Sequence, residues 1–169
     1  MATLLDSHDA RKSAATAAGQ APENSTGWSR LLGLAACRGA RFRFGPTAGE
    51  AAARCVLLRV KRGRRTLRHV IAVVPEQRTL DLIAVARLYG GASAGFVTPE
   101  TADALTGCTD RQVPPYSPDP GLEVVLDQSL RDAPEIGFND VRPEVAVTFA
   151  TEDYTTLATP RVAAITATA

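Results

Sequence analysis

Two histidines, three cysteines and one dense run of cations are what this sequence offers for chemistry. His8 lies near the N-terminus in a polar segment and His69 opens an apolar run. A lone histidine so placed is structural or exposed, so a nucleophile–base triad is not expected. Cys37, Cys55 and Cys108 are odd in number, without C-x-x-C spacing or partnering histidines. A disulfide framework and a zinc site are therefore not expected, a reducing compartment is the simpler reading, and neither metal nor cofactor is implied. The cations Arg59, Lys61, Arg62, Arg64, Arg65 and Arg68 crowd around Gly63, whereas acids dominate after Thr98. Net charge is only +1, so any pull on a polyanion is local to this run. It reads either as a grip on an RNA backbone or as a solvated turn.

The elements that must hold these residues lie between Arg54 and Gly91. Cys55–Val60 is apolar and branched, a largely buried strand,. Lys61–Arg65 is a hairpin tip in which Gly63 supplies a positive φ. His69–Val74 returns as a second strand stopped by Pro75, and Thr79-Leu80-Asp81 starts a helix that Gly90-Gly91 ends,. Upstream, Trp28–Cys37 forms a short helix and Arg41–Phe44 a half-buried strand. Thr47–Glu50 followed by three alanines is a capping box opening another helix,. Downstream, Phe96-Val97 is a short strand, Thr98 and Pro99 cap a helix that stops at Gly107, and a proline-stiffened loop follows. Leu122–Asp127, Ile136–Phe138 and Val145–Phe149 are strands, with a turn at Ser129-Leu130. Thr151 caps a last helix, Pro160 breaks it, and Val162–Ile165 adds a final strand.

The irregular mixture of strands and short helices predicts one α+β domain with a mixed, curved, barrel-like sheet. Its expected core includes Val56, Leu58, Ile71, Val73, Val125 and Val147. At 169 residues, 45% apolar and 22% charged, the chain is an ordinary globular protein,. No apolar run approaches the roughly 20 residues that cross a bilayer. Residues 1–28 are small and polar and read as a tail, leaving 29–169 as the domain. Arg11 and Lys12 among serines and alanines suggest organellar import as a minor alternative. Asp6, Asp9 and Glu23 argue against that, and a cytoplasmic protein is expected,.

The blocks HVIAVVP-E-QRTLDL, FVTPETADALTG, VPPYS, VVLDQSL, FND and DYTTLATPRVAAI stand in the order seen in the YbaK/ProX aminoacyl-tRNA deacylases. From Thr47 to Ala164 the chain resembles that family, which also supplies the editing domain of bacterial prolyl-tRNA synthetases. The resemblance implies a YbaK-like fold and hydrolysis of the ester of mischarged tRNA by a freestanding, trans-acting enzyme. The implied partners are aminoacyl-tRNA and a synthetase, with no DNA and no membrane. Arg54 stands where the family has its functional lysine, and Asn139, Asp140 and Val141 replace the family's Asn-Ala-Gly or Ser-Ala-Gly turn in the substrate site. Arg54 and Asn139 are thus the implied catalytic residues. Arg111, Val113, Pro114, Pro115 and Tyr116 match the loop that shapes the amino-acid pocket, with Arg111 where relatives have glycine. Glycine lets a backbone approach a ligand closely, which Arg111 and Val141 do not. A turn or two of helix before Arg54 is also absent. The alternative implied is a catalytically degenerate member binding tRNA or a synthetase.

Overall fold

The computed structural model describes residues 26–46, 49, 51–107, 113–139 and 145–168. Its frame is a long hairpin, β2 (Ala52–Arg62) and β3 (Arg65–Pro75), paired antiparallel from Ala53↔Pro75 to Arg62↔Arg65. The tip closes on two residues because Gly63 takes φ +62° at the first central position. Arg64 stays at negative φ, which is the type II′ arrangement that matches strand twist,.

The remaining strands are β1 (Phe42–Gly45), β4 (Ser93–Phe96), β5 (Leu122–Asp127), β6 (Glu135–Asn139), β7 (Ala146–Ala150) and β8 (Arg161–Ala163). They form one sheet in the order β1-β7-β6-β2-β3-β5-β8, with β4 also on β2. The β2–β6, β3–β5 and β5–β8 pairs are parallel and the others antiparallel. The sheet is mixed as expected. It does not close into a barrel, since the path ends on β1 and β8.

Period-two alternation divides the core between the two faces. Leu57, Ile71, Val73, Val147 and Phe149 face a cluster with α1 (Thr26–Arg38) and α5 (Thr151–Ala158). Leu58, Val60, Val70, Ala72 and Val125 face Val85 of α2 (Leu82–Leu88) and Ile165. Gly91 lets the chain turn tightly behind α2: a Cβ there would meet Val60 Cγ1 at 2.4 Å. Of the expected core, Leu58, Ile71, Val73, Val125 and Val147 are fully buried, whereas Val56 is only partly covered. The other helices are α3 (Pro99–Thr106), capped by Thr98 and ended by Gly107, and the single turn α4 (Gln128–Arg131).

Three local expectations are corrected. The helix expected from Thr47 to Ala53 does not take in Ala52 and Ala53, which instead open β2, paired with Gly137 and Phe138. Alanine's helix propensity yields to that pairing, and its small side chain suits positions left 6% and 4% exposed,. Thr47, Ala48 and Glu50 lie outside the described residues. Thr151 is the first helical residue of α5, because β7 runs straight into the helix and Ala150 keeps the extended cap conformation. Asp81, the last residue of the expected Thr79-Leu80-Asp81 start, does cap α2, accepting from Ile83 and Ala84 N–H. Ser129-Leu130 belongs to α4 and is not a plain turn, because Asp127 caps it. The boundary drawn at residue 28 also falls inside α1, where Trp28 is 2% exposed.

Candidate active site

The first residues of β2 form one wall of a cleft of about 230 Å³. Alternation sends Ala53 and Cys55 into the cluster beneath α1, where Trp28 and Phe138 complete an apolar wall. Trp28 and Phe138 meet edge to face with centroids 5.9 Å apart. Parallel pairing of β2 with β6 sets Ala53 beside Phe138, so Asn139 emerges next to Arg54 at the rim. Antiparallel pairing with β3 sets Ala53 beside Pro75, so the next residue, Glu76, reaches the same rim. The Glu76 backbone N–H donates to Ala52 O at 2.9 Å, and the Asn139 Nδ2 donates to Glu76 Oε2 at 3.4 Å. Val113 comes over from the proline loop. Guanidinium, carboxylate and amide thus ring one side, and an apolar wall forms the other.

Arg54 has the parity of Val56 and Leu58, and its Nη2 donates to Arg78 O at 3.1 Å, beyond the cleft rim. Burial pushes the Cys55 thiol well above its ordinary pKa, which keeps it protonated and a poor nucleophile,. His69 stands opposite Arg59, five residues along β2 from Arg54, or about 16 Å away at the rise of a strand,. Burial first and Arg59 second hold its pKa below the ordinary value. Neither side chain supplies a nucleophile–base pair here.

Arg54, Asn139 and Val113 are therefore brought together. Pro114 and Tyr116 line a neighbouring hollow of about 210 Å³ with Gly27, Arg30 and Leu105. Pro115 is buried, and its carbonyl accepts the Tyr154 hydroxyl at 2.7 Å, which ties the loop to α5. Arg111, Asp140 and Val141 lie outside the described residues. Glu76 and Trp28 were not singled out from sequence. Glu76 carries no local signal beyond following a strand-ending proline, and Trp28 is a lone aromatic beside a polar segment.

The hairpin cations do not all share one state. Arg62 Nη2 donates to Gly90 O at 2.5 Å, and Arg68 pairs with Glu123 and lies over the Tyr89 ring at 5.5 Å. Arg59 is half-buried opposite His69. Lys61, Arg64 and Arg65 take no ion pair among the described residues. A larger hollow of about 690 Å³ beside α5 is lined by Arg41 and Arg131, of which Arg41 binds Asp153 at 2.9 Å and approaches Glu152 at 3.8 Å.

A mixed-sheet domain with a small cleft, polar on one side and apolar on the other, defines a protein built to take a small group with a polar head. The model of the aminoacyl-tRNA editing domain matches residues 41–157. The chain is 31% identical over 148 residues to the multifunctional Ser/Thr-tRNA deacylase ProXp-y of Escherichia coli K12, covering 78% of this chain and 87% of that protein. The chain belongs to the aminoacyl-tRNA editing family. Its fold is also that of a putative trans-editing enzyme for prolyl-tRNA synthetase, at TM-score 0.64 and 21% identity over 82% of this chain and 96% of that one. A crystallised hypothetical protein shares the fold too, at TM-score 0.67 and 16% identity over 82% and 99%.

Proposed function

We propose that this chain is a freestanding trans-editing deacylase and that it hydrolyses the ester of mischarged tRNA in the cleft between Arg54, Glu76 and Asn139. The supporting observation is the convergence of Arg54, Asn139 and Val113 from three distant parts of the chain. Ester hydrolysis needs a water, donors for the developing oxyanion and a pocket for the acyl group. With the Cys55 thiol protonated and His69 far along the strand, water attacks the ester carbonyl directly. The Asn139 amide and the Arg54 guanidinium donate to the tetrahedral oxygen. Collapse breaks the bond to the ribose oxygen, which takes a proton and leaves as the tRNA hydroxyl, and the amino acid departs as the acid. The cleft is below the roughly 300–1,000 Å³ of ordinary ligand sites, which suits small side chains such as serine and threonine,.

The hairpin tip lies eight residues from Arg54, about 26 Å along β2,. Lys61, Arg64 and Arg65 can meet backbone phosphates there while the charged end of the tRNA occupies the cleft. Acting in trans, the enzyme works in the cytoplasm on tRNA released by a synthetase, which is its partner in editing.

The Arg54–Arg78 hydrogen bond favours one rival, a non-catalytic binder of tRNA or synthetase, because Arg54 must let go of that carbonyl to reach an ester. Single-turnover deacylation of tRNAs charged with serine, threonine and alanine separates the two. The enzyme releases amino acid from at least one of them, whereas the binder retains tRNA and releases none.

A further inference from the structure

We propose that Glu76 is the specificity residue that holds the α-ammonium group of the aminoacyl ester, an inference that rests on the deacylase reading above. Glu76 is the only anion among the described residues lining the cleft. Its carboxylate accepts from Asn139 through Oε2 and, among the described residues, Oε1 has no partner. One acceptor oxygen is thus committed to orientation and the other is open to a ligand.

The backbone beneath it is fixed. The Glu76 N–H extends the β2–β3 ladder past Pro75 to Ala52 O, and Arg78 N–H closes the turn onto Pro75 O at 3.1 Å. The carboxylate therefore leaves a rigid turn at a defined place, opposite the wall of Ala53, Cys55 and Phe138. An aminoacyl ester has three groups on its α-carbon that need recognition: a side chain, an ester carbonyl and an amine that is cationic below about pH 8. The apolar wall takes the side chain and the Asn139 amide faces the carbonyl. The amine needs an anion, all the more because Arg54 on the same rim would repel it. Glu76, exposed at the rim and hydrogen-bonded to Asn139, supplies that anion. The same contact discriminates against acyl groups that lack a free amine, since a neutral amide offers the exposed Glu76 carboxylate no cation to pair with,.

The test is a cycle between Glu76→Gln and N-acetylation of the substrate. Glutamine keeps the shape, and its carbonyl still accepts from Asn139, so only the charge is removed. Single-turnover hydrolysis is measured for seryl-, threonyl- and alanyl-tRNA and for their N-acetyl forms, with the parent and the variant. The parent should prefer the free amine by about tenfold to a hundredfold, the worth of a hydrogen bond to a charged group. In Glu76→Gln that preference should fall toward one. Each ratio is taken on one preparation, so partial unfolding cancels. A parent without preference, or a variant whose preference is unchanged, overturns the assignment while leaving the deacylase reading intact. A parent that hydrolyses neither form removes the deacylase reading and this inference with it.

Discussion

Arg54 decides what kind of family member this chain is. It keeps the positive charge of the lysine that the family resemblance implies, but as a planar fork that has found another acceptor, the Arg78 carbonyl,. A charge placed at a developing oxyanion is worth roughly 3–4 kcal/mol. Arg54→Ala should therefore lower the single-turnover deacylation rate about a hundredfold or more. Arg54→Lys removes the competing fork and should match or exceed the parent. Full activity in Arg54→Ala would remove the role from this residue and leave Asn139 as the donor.

At the scale of elements, the hairpin is where structure and function separate most cleanly. Arg62 and Arg68 are engaged by Gly90 and Glu123, so the contacts open to phosphate are those of Lys61, Arg64 and Arg65. Replacing Arg64 and Arg65 with serine should flatten the log–log salt dependence of tRNA affinity by about one to two units, at 0.7–0.9 per phosphate contact. An unchanged slope would make the tip a solvated turn. This hairpin was legible because everything that forms it is local: alternation on both strands, a glycine at the tip, a proline at the end. The same holds for α3, whose Thr98, Pro99 and Gly107 signals lie within its own span. The start of β2 was not legible, since Ala51-Ala52-Ala53 has helical propensity and it takes pairing with residues 137, 138 and 75, distant in the chain, to make Ala52 and Ala53 strand. The cleft was legible only in part for the same reason. Arg54 and Asn139 came through the family resemblance, whereas Glu76 enters the rim through register across β3, and no spacing in the chain announces it. Trp28 was placed at the boundary between tail and first helix, and one aromatic gives no sign that it meets Phe138 edge to face in the cleft wall.

For the molecule as a whole, Asp127 is the polar group that locks the C-terminal end of the chain to the sheet. It is 2% exposed at the end of β5, where it caps α4 through Ser129 and accepts from Ile165 N–H at 3.0 Å and Thr166 Oγ1 at 3.2 Å. Burial alone would raise its pKa, but the hydrogen bonds from Ser129, Ile165 and Thr166 outweigh it and hold the group below its ordinary value,. A carboxyl whose folded pKa is the lower one stabilises the fold above its unfolded pKa of about 3.9, and that stability is lost as pH falls through the folded value. Asp127→Ala should cost about 3 kcal/mol near neutrality, because it strands a buried N–H and removes charged hydrogen bonds. Thermal melts from pH 7 to pH 3 should show a Tm lower by roughly 10 °C at pH 7, with the gap narrowing in acid. An equal Tm at pH 7 would mean that the C-terminal segment is held by packing alone. The claim that binds all these scales is that one cleft hydrolyses the aminoacyl ester. Its most direct test is single-turnover release of serine, threonine or alanine from mischarged tRNA by the parent and by Asn139→Ala. Release by the parent from at least one tRNA, reduced about a hundredfold in the variant as expected for loss of an oxyanion donor, is the predicted result. No release by the parent, or equal release by both proteins, would contradict it.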